Sequence, residues 1–570
     1  MFNKNFFIMK EHLKLATLLA TKNNIFSIIT LFALLLCGAN SIFSQEWEVV
    51  QSDNDAVNRD LYDEVIELSN GNVLVSSRTQ NVNEEGRFIS VYPSLTLISS
   101  VGEVICSNTY FRPQLCVINS PYIFENKGEM YMLATYNPDH DLNSKNYFKN
   151  HDNPPTESIV GLYKLDELLN ITKSYEHIFP IDTFEQKNGL WHSHPNIYSG
   201  NIYMYSAFED DGHVTGSYIK SVSYSNTPRG HDTIFFFKID FDGNFLLRKG
   251  YEMHTTGGEH QTQYYRQQIV KNDDGYVVYY RGYSIHHHGT IEYYDKDFNH
   301  ITTRYIDTPG HDPEMENNLY NHSVIRSKNN TTYLATTSLI PINPGDNWGG
   351  MHDRNIRIYE IDDNINNSTE VLPVIQYFER ETSNLDDMPY RAVDMTRNEE
   401  IFFAYTLNYG SLGQGDSWVM IEKLDADFDT IATFYYDDGV DIHTEARCIK
   451  TTNDNGLLLV TNSQDLLTND RWSKVSKIPA SALTIEEAHA HNLKVAVAYP
   501  NPGGDVMNIR TSLRNCTLQV YDMRGRMVHK QEITDDVTSV DASSWSSGTY
   551  VWELGTENGS GILESGKWVK

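Results

Sequence analysis

Histidine, tyrosine and arginine supply the reactive groups that this sequence brings together most often. His192 and His194 alternate along Trp191-His192-Ser193-His194-Pro195-Asn196, and His286 and His288 alternate along His286-His287-His288. Side chains alternate across a strand, so each pair shares one face. Two such pairs on neighbouring elements suit a divalent cation, because neutral imidazole is a common ligand. His192, His286 and His288 are the metal-ligating candidates, with calcium or zinc as the ion. Hydrogen-bonded loop histidine remains the alternative, since no carboxylate–histidine motif fixes a coordination geometry. A second constellation joins His194, His213, Tyr265 and Arg281. His194 or Tyr265 would take or return a proton, and Arg281 would neutralise a carboxylate next to developing negative charge. The alternative for this set is packing of Tyr265 between sheets and pairing of Arg281 with a carboxylate at a rim.

The elements that must position these groups are hairpins. Tyr264 to Arg281 is an apolar run, a polar turn Asn-Asp-Asp-Gly ending at Gly275, and a second run rich in Val and Tyr. Gly275 is expected to supply the positive φ of a tight hairpin, and Val and Tyr suit a pleated, half-buried surface. The unit recurs at Val65–Ser77, Tyr122–Ala134, Asn196–Ala207, Ser323–Thr336, Ala392–Ala404 and Ala446–Val460. A second hairpin follows most copies, as in Phe235-Phe-Phe-Lys-Ile-Asp-Phe-Asp-Gly-Asn and Ile291-Glu-Tyr-Tyr-Asp-Lys-Asp-Phe-Asn. Two hairpins per repeat make a four-stranded blade, and about seven repeats spaced by roughly 50 to 70 residues imply a propeller. The expected fold is therefore all-β: a seven-bladed β-propeller over residues 45–480, a linker over 481–492, and a small β-sandwich over 493–570. Glu46-Trp47-Glu48-Val49-Val50 is expected to close the ring against the last repeat.

The chain has 570 residues and a formal charge of −31, from 45 basic and 76 acidic side chains. That balance argues against a nucleic-acid partner, which needs clustered cations for phosphate. Residues 1–44 read as a signal peptide: Lys4, Lys10, Lys14 and Lys22 precede the apolar run Ile25–Leu36, and cleavage is expected after Ser44. The run is too short for a spanning helix, and no other segment is apolar enough, so the mature chain is expected to lack a transmembrane span. Cys106 and Cys116 are close enough in sequence to bridge two strands, but spacing alone does not decide it.

The last 78 residues change character, with short strand-like runs from Val495 to Val569. Tyr499-Pro500-Asn501-Pro502, Val520-Tyr521-Asp522-Met523-Arg524-Gly525-Arg526-Met527-Val528, Gly548-Thr549-Tyr550 and the ending Gly566-Lys567-Trp568-Val569-Lys570 follow in order. This segment resembles the type A C-terminal sorting domain of Bacteroidetes type IX secretion cargo. The resemblance implies an Ig-like sandwich that engages the secretion machinery through residues 493–570. It also implies passage through the periplasm to the outer-membrane surface or the medium.

Ser193-His194-Pro195-Asn196, Tyr265 and Tyr280-Arg281-Gly282-Tyr283-Ser284 resemble motifs of the propeller-type polysaccharide lyases that act on ulvan. Arg266 departs from that pattern, where relatives tend to carry Pro, and the second histidine is ambiguous between His213 and others. The resemblance implies β-elimination at a uronate, with Arg281 on the carboxylate and Tyr265 or His194 handling the proton. Three functions compete. One is a surface propeller that binds or processes polysaccharide, another is the uronate lyase, and the third is a non-enzymatic adhesin or scaffold. A sialidase-like hydrolase finds no Ser-x-Asp-x-Gly-x-Thr-Trp box here, and a serine hydrolase finds no Gly-x-Ser-x-Gly.

Overall fold

The computed structural model describes Trp47–Lys570 except 53–57, 83–87, 113–114, 118, 139–156, 181–196, 225–230, 253–264, 282–288, 306–317, 327–331, 342–351, 362–372, 378–390, 408–416, 426–429, 437, 439–441, 469, 481–482, 484–493, 512, 536 and 557–561. The leader expected at 1–44 lies outside the described residues, as does most of the linker.

Among the described residues the chain is all-β, with every sheet antiparallel. Strand β1 (Trp47–Ser52) stands apart from the strands that follow it. The first sheet takes β2 (Asn58–Glu67), β3 (Val73–Val82), β4 (Phe88–Ile98) and β5 (Val104–Thr109) in chain order. The second holds β6 (Leu115–Val117), β7 (Tyr122–Asn126), β8 (Glu129–Pro138), β9 (Glu157–Leu165) and β10 (Ile171–Pro180), with β6 and β7 pairing successive parts of β8. The third runs β11 (Ile197–Asp210), β12 (His213–Tyr224), β13 (His231–Asp240) and β14 (Phe245–Glu252). The fourth is β15 (Tyr265–Lys271), β16 (Gly275–Arg281), β17 (Gly289–Asp295) and β18 (His300–Tyr305). The fifth is β19 (Asn318–Arg326), β20 (Thr332–Pro341), β21 (His352–Ile361) and β22 (Pro373–Tyr377). The sixth is β23 (Val393–Met395), β24 (Ile401–Leu407), β25 (Trp418–Leu424) and β26 (Thr430–Tyr436). The seventh is β27 (Ile442–Thr451), β28 (Leu457–Asp465) and β29 (Arg471–Ile478), and its fourth strand is β1, with Trp47 opposite Lys477.

These sheets meet through their first strands. β2 touches β7, β7 touches β11, then come β15, β19, β23 and β27, and β27 returns to β2. Apolar cores lie between the faces of successive sheets. Leu74, Leu95 and Leu97 meet Met132, Tyr136 and Tyr163. Leu133 and Leu162 meet Met204, Tyr218 and Phe237. Phe236 stacks on Phe298 at 4.8 Å between ring centroids, and Phe298 stacks on Tyr276 at 4.4 Å. Each such buried side chain contributes about 1.5–3 kcal/mol.

The turns show which residue types the hairpins select. Lys127-Gly128 and Asp211-Gly212 place two successive residues at positive φ, as a two-residue hairpin loop requires. Gly275 corrects the expectation made for it. It is not among the residues with positive φ. A Cβ there would stand 2.0 Å from the Tyr294 carbonyl oxygen, so close approach of the neighbouring strand selects glycine. In the outer hairpins an aspartate organises the turn. Asp166, Asp240 and Asp295 each accept N–H bonds from residues two and four ahead, and the side-chain amide of Asn170, Asn244 or Asn299 closes the loop. Cys106 and Cys116 are both thiols, so no disulfide joins them.

The remaining strands form two sheets. One pairs β30 (Ala496–Tyr499), β31 (Val506–Thr511) and β34 (Val537–Asp541). The other pairs β33 (Met527–Ile533), β32 (Cys516–Asp522), β35 (Thr549–Thr556) and β36 (Ile562–Val569) in that order. They share a core of Met507, Ile509, Leu518, Val520, Trp552, Leu554 and Trp568.

Candidate functional site

The first strands carry a repeated irregularity. Their pairing with the second strand shifts register at Tyr62/Glu64, Met204/Ser206, Tyr265/Gln268, Tyr320/His322 and Ala446/Cys448. The ladder skips Asp63, Tyr205, Arg266 and Gln267, Asn321, and Arg447. In the second sheet the first strand breaks between β6 and β7, where Asn119 and Ser120 stand. In the sixth, Arg391 precedes β23 and bridges to Cys448. A bulge adds a residue to one strand and re-aims its side chain. Asp63, Ser120 and Arg447 thereby converge from three sheets, and Arg391 reaches Glu64 from a fourth.

A cavity of about 660 Å³ opens beside these bulges. Its walls come from β2, β7, β11, β15, β23 and β27 and include Glu64, Tyr122, Tyr205, Gln268, Arg391, Cys448 and Lys450. Arg391 pairs with Glu64 and lies over the Tyr122 ring, 5.1 Å from its centroid. Asp63 binds groups from three sheets: Arg78 Nε at 3.0 Å, Arg447 Nη2 at 2.8 Å, and the Ser120 hydroxyl. Arg447 also reaches Glu445 at 3.0 Å. Asp394 accepts the Thr451 N–H at 2.7 Å and pairs with Lys450 at 3.1 Å.

These neighbours split two adjacent carboxyls. Burial alone would raise Asp63, but Arg78 and Arg447 outweigh it and hold the carboxyl far below its usual range. Burial raises Glu64, opposed only in part by Arg391 and Lys450. Burial also pushes up the Tyr122 hydroxyl and takes the Cys448 thiol to about 12. Charge on Arg391 is disfavoured by burial but stabilised more by Glu64, so the guanidinium stays cationic. Separated carboxyl pKa values are the usual basis for acid and base roles. Glu64 and Arg391 form a buried ion pair on the cavity wall, so a polar ligand there would meet a paired carboxylate and guanidinium. Aromatic walls with a few convergent polar groups are the usual make-up of a small-ligand pocket.

The residues expected from sequence divide as follows. Tyr265 and Arg281 lie directly opposite each other, at the start of β15 and the end of β16. His213 is not brought to them. It begins β12 at the far end of the neighbouring sheet, with Nε2 3.6 Å from Asp210 Oδ2. Asp210 also accepts the Tyr276 hydroxyl at 2.8 Å and pairs with Lys271, at the opposite end of β15 from Tyr265. Six residues of extended chain separate those ends by about 20 Å. Burial would raise Asp210, and the Lys271 and Tyr276 bonds outweigh it, leaving its value lowered. His213 therefore belongs to a turn-fixing network. His192, His194, His286 and His288 lie outside the described residues. Among the described residues no group of three or more His, Cys, Asp and Glu side chains could hold a metal. Sequence reasoning missed Asp63, Glu64, Tyr122, Arg391 and Arg447. The available signal was a charged residue just ahead of the apolar run in the recurring hairpins, as in Tyr62-Asp63-Glu64-Val65 and Tyr390-Arg391-Ala392-Val393.

The C-terminal motifs are structural clasps. Trp568 Nε1 donates to the Pro500 carbonyl at 2.6 Å, Asn501 Oδ1 accepts the Val569 N–H at 2.9 Å, and Gly503 N–H meets the Val569 carbonyl at 2.7 Å. Lys570 Nζ caps the carbonyls of Ala542, Ser543 and Trp545. Residues 497–564 match the family described as the secretion system C-terminal sorting domain. The chain is a type IX secretion cargo. The sorting domain addresses it for export to the cell surface or the extracellular space, and no helix among the described residues is long and apolar enough to cross a membrane.

No curated protein matches the chain. Solved structures give distant likenesses. PorZ, a bacterial surface component of the type IX secretion system of Porphyromonas gingivalis, is 9% identical, with 91% of this chain and 87% of that one covered and a TM-score of 0.25. NanB sialidase from Streptococcus pneumoniae is 12% identical over 77% and 71%, with a TM-score of 0.38. A GH93 α-L-arabinofuranosidase of Fusarium graminearum is 11% identical over 77% and 99%, with a TM-score of 0.38. Similarity at this level carries no argument about the site.

Proposed function

We propose that the seven sheets close as a seven-bladed β-propeller carrying an Ig-like sorting domain, and that the exported protein binds polysaccharide in its central channel. The cavity at the bulge level carries this reading, because its wall combines Tyr122, Tyr205, Arg391 and Glu64 from four different sheets. The cyclic order of first-strand contacts supports the ring. A panel of purified glycans, read by calorimetry against the mature chain and its Arg391→Ala and Tyr205→Ala variants, tests it. Saturable binding that both variants weaken by about tenfold or more is expected, since truncation of aromatic and arginine anchors costs over 1 kcal/mol. Equal binding by all three proteins would overturn the assignment of the site. Silence across the panel would leave the adhesin or scaffold reading in its place.

The Tyr265–Arg281 pairing favours a second reading, uronate-directed β-elimination. Arg281 would neutralise the substrate carboxylate, while Tyr265 or His194 would move the α-proton. The Arg281→Ala variant should then lose production of unsaturated uronate. Undiminished production would remove Arg281 from the chemistry. A divalent cation, calcium or zinc, at His192, His286 and His288 is a separate proposal, and metal content of the purified chain that is lost in His286→Ala and His288→Ala would test it.

A further inference from the structure

We propose that the sorting domain is a docked module, held on the β23–β26 sheet by the segment Lys494–Tyr499, and that it stays bound there without a covalent link once residues 484–493 are cut. The attachment begins with backbone. Tyr435 N–H donates to the Lys494 carbonyl at 2.8 Å, and Lys494 N–H donates to the Tyr435 carbonyl at 2.9 Å. This extends the edge strand β26 by one antiparallel bridge.

Side-chain alternation then divides β30 and its flank between two cores. Val495 packs with Phe434, Tyr436 and Leu483, and Val497 and Tyr499 pack with Trp418, Met420 and Tyr435. Ala496 and Ala498 face the other way, into the sandwich core. Val495, Val497 and Tyr499 are 1%, 6% and 8% exposed, so their burial depends on the neighbouring sheet. The Tyr499 ring lies 5.7 Å from Trp418, and the Arg510 guanidinium lies 5.6 Å from the Tyr499 centroid. Val537 and Leu513 add contacts from the sandwich side. One strand thus completes two cores, and its outward face is an apolar stripe that fits this sheet. Tyr499 opens the Tyr499-Pro500-Asn501-Pro502 motif, so whatever reads that tyrosine must first lift it from Trp418.

The test uses the mature chain with residues 486–491 replaced by the site of a sequence-specific protease. After complete cleavage the two fragments should co-elute in gel filtration at about 1 μM, as a Kd below that value dictates. The amides of Tyr435 and Lys494 should keep their protection from hydrogen exchange. Separate elution, with both amides exposed, would overturn the proposal. Tyr499→Ala should speed release by about tenfold or more, as truncating a buried aromatic anchor does. Trp418→Ala reads the same contact from the other side if the first variant does not fold. Release unchanged in a folded variant would show that this contact does not hold the module.

Discussion

Removing the Trp47 side chain attacks the point where the two ends of the sheet circuit are joined. Trp47 is 7% exposed and packs with Val65, Val73, Ile98, Val460 and Val475, which come from the first and seventh sheets. Its indole N–H donates to the Ser100 carbonyl at 3.2 Å, tying β1 to the β4–β5 turn. Truncating a buried tryptophan to alanine costs about 3–5 kcal/mol. The net hydrogen bond, about 1 kcal/mol, places this site in the upper part of that range. Because each 1.4 kcal/mol is tenfold, local opening of β1 from β29 should become about 10³-fold more frequent. Hydrogen exchange followed by mass spectrometry, over peptides spanning Trp47–Ser52 and Arg471–Ile478, reads that opening directly. Acceleration of less than about tenfold in Trp47→Ala would refute the reasoning. Gly102 approaches from the other side. A Cβ there would stand 2.5 Å from Trp47 Cβ and Cγ at a backbone φ of +85°, so Gly102→Ala should accelerate the same peptides.

Further outcomes follow from the local chemistry. The Asp63 carboxyl is depressed in the folded chain, so its stabilising contribution is complete above its unfolded pKa, about 4, and is lost as pH falls below it. Asp63→Asn should lower the denaturant midpoint at pH 7 and flatten its decline in acid; an unchanged acid slope would count against the Arg78–Asp63–Arg447 network. Gly275→Ala should destabilise by about 1–3 kcal/mol through overpacking against the Tyr294 carbonyl, with a neutral effect on thermal unfolding as the contrary result. Asp240→Ala removes the acceptor of the Asp242 and Asn244 N–H groups, at about 1–2 kcal/mol. Its effect should appear as faster exchange confined to the β13–β14 hairpin.

The repeated hairpins were legible because they obey two strong local rules: alternation of apolar residues and turn chemistry. Asp240-Phe-Asp-Gly-Asn244 and Asp295-Lys-Asp-Phe-Asn299 state their own hydrogen bonds. The C-terminal motifs were legible because Trp568, Asn501 and Lys570 each make a side-chain hydrogen bond to backbone that fixes the motif. The Asp63–Arg447 contact was not, because it joins residues 384 apart in sequence and no local pattern records it. The place of His213 was not legible for a related reason. It follows Gly212 in the hairpin turn of its own sheet, so chain order said nothing about which end of the strand it occupies. Gly275 was assigned the right turn but the wrong cause, since steric exclusion by a third strand leaves the same residue as a positive φ would.

Pairing of β1 with β29 has a temporal side. The Glu48–Lys474 contact spans 426 residues, so a chain delivered from its N-terminus exposes an unmatched strand until nearly the whole protein has emerged. Contacts this distant slow folding and leave edges open to foreign strands. For an exported chain, that interval is when a chaperone would find β1, and when aggregation would begin if none did.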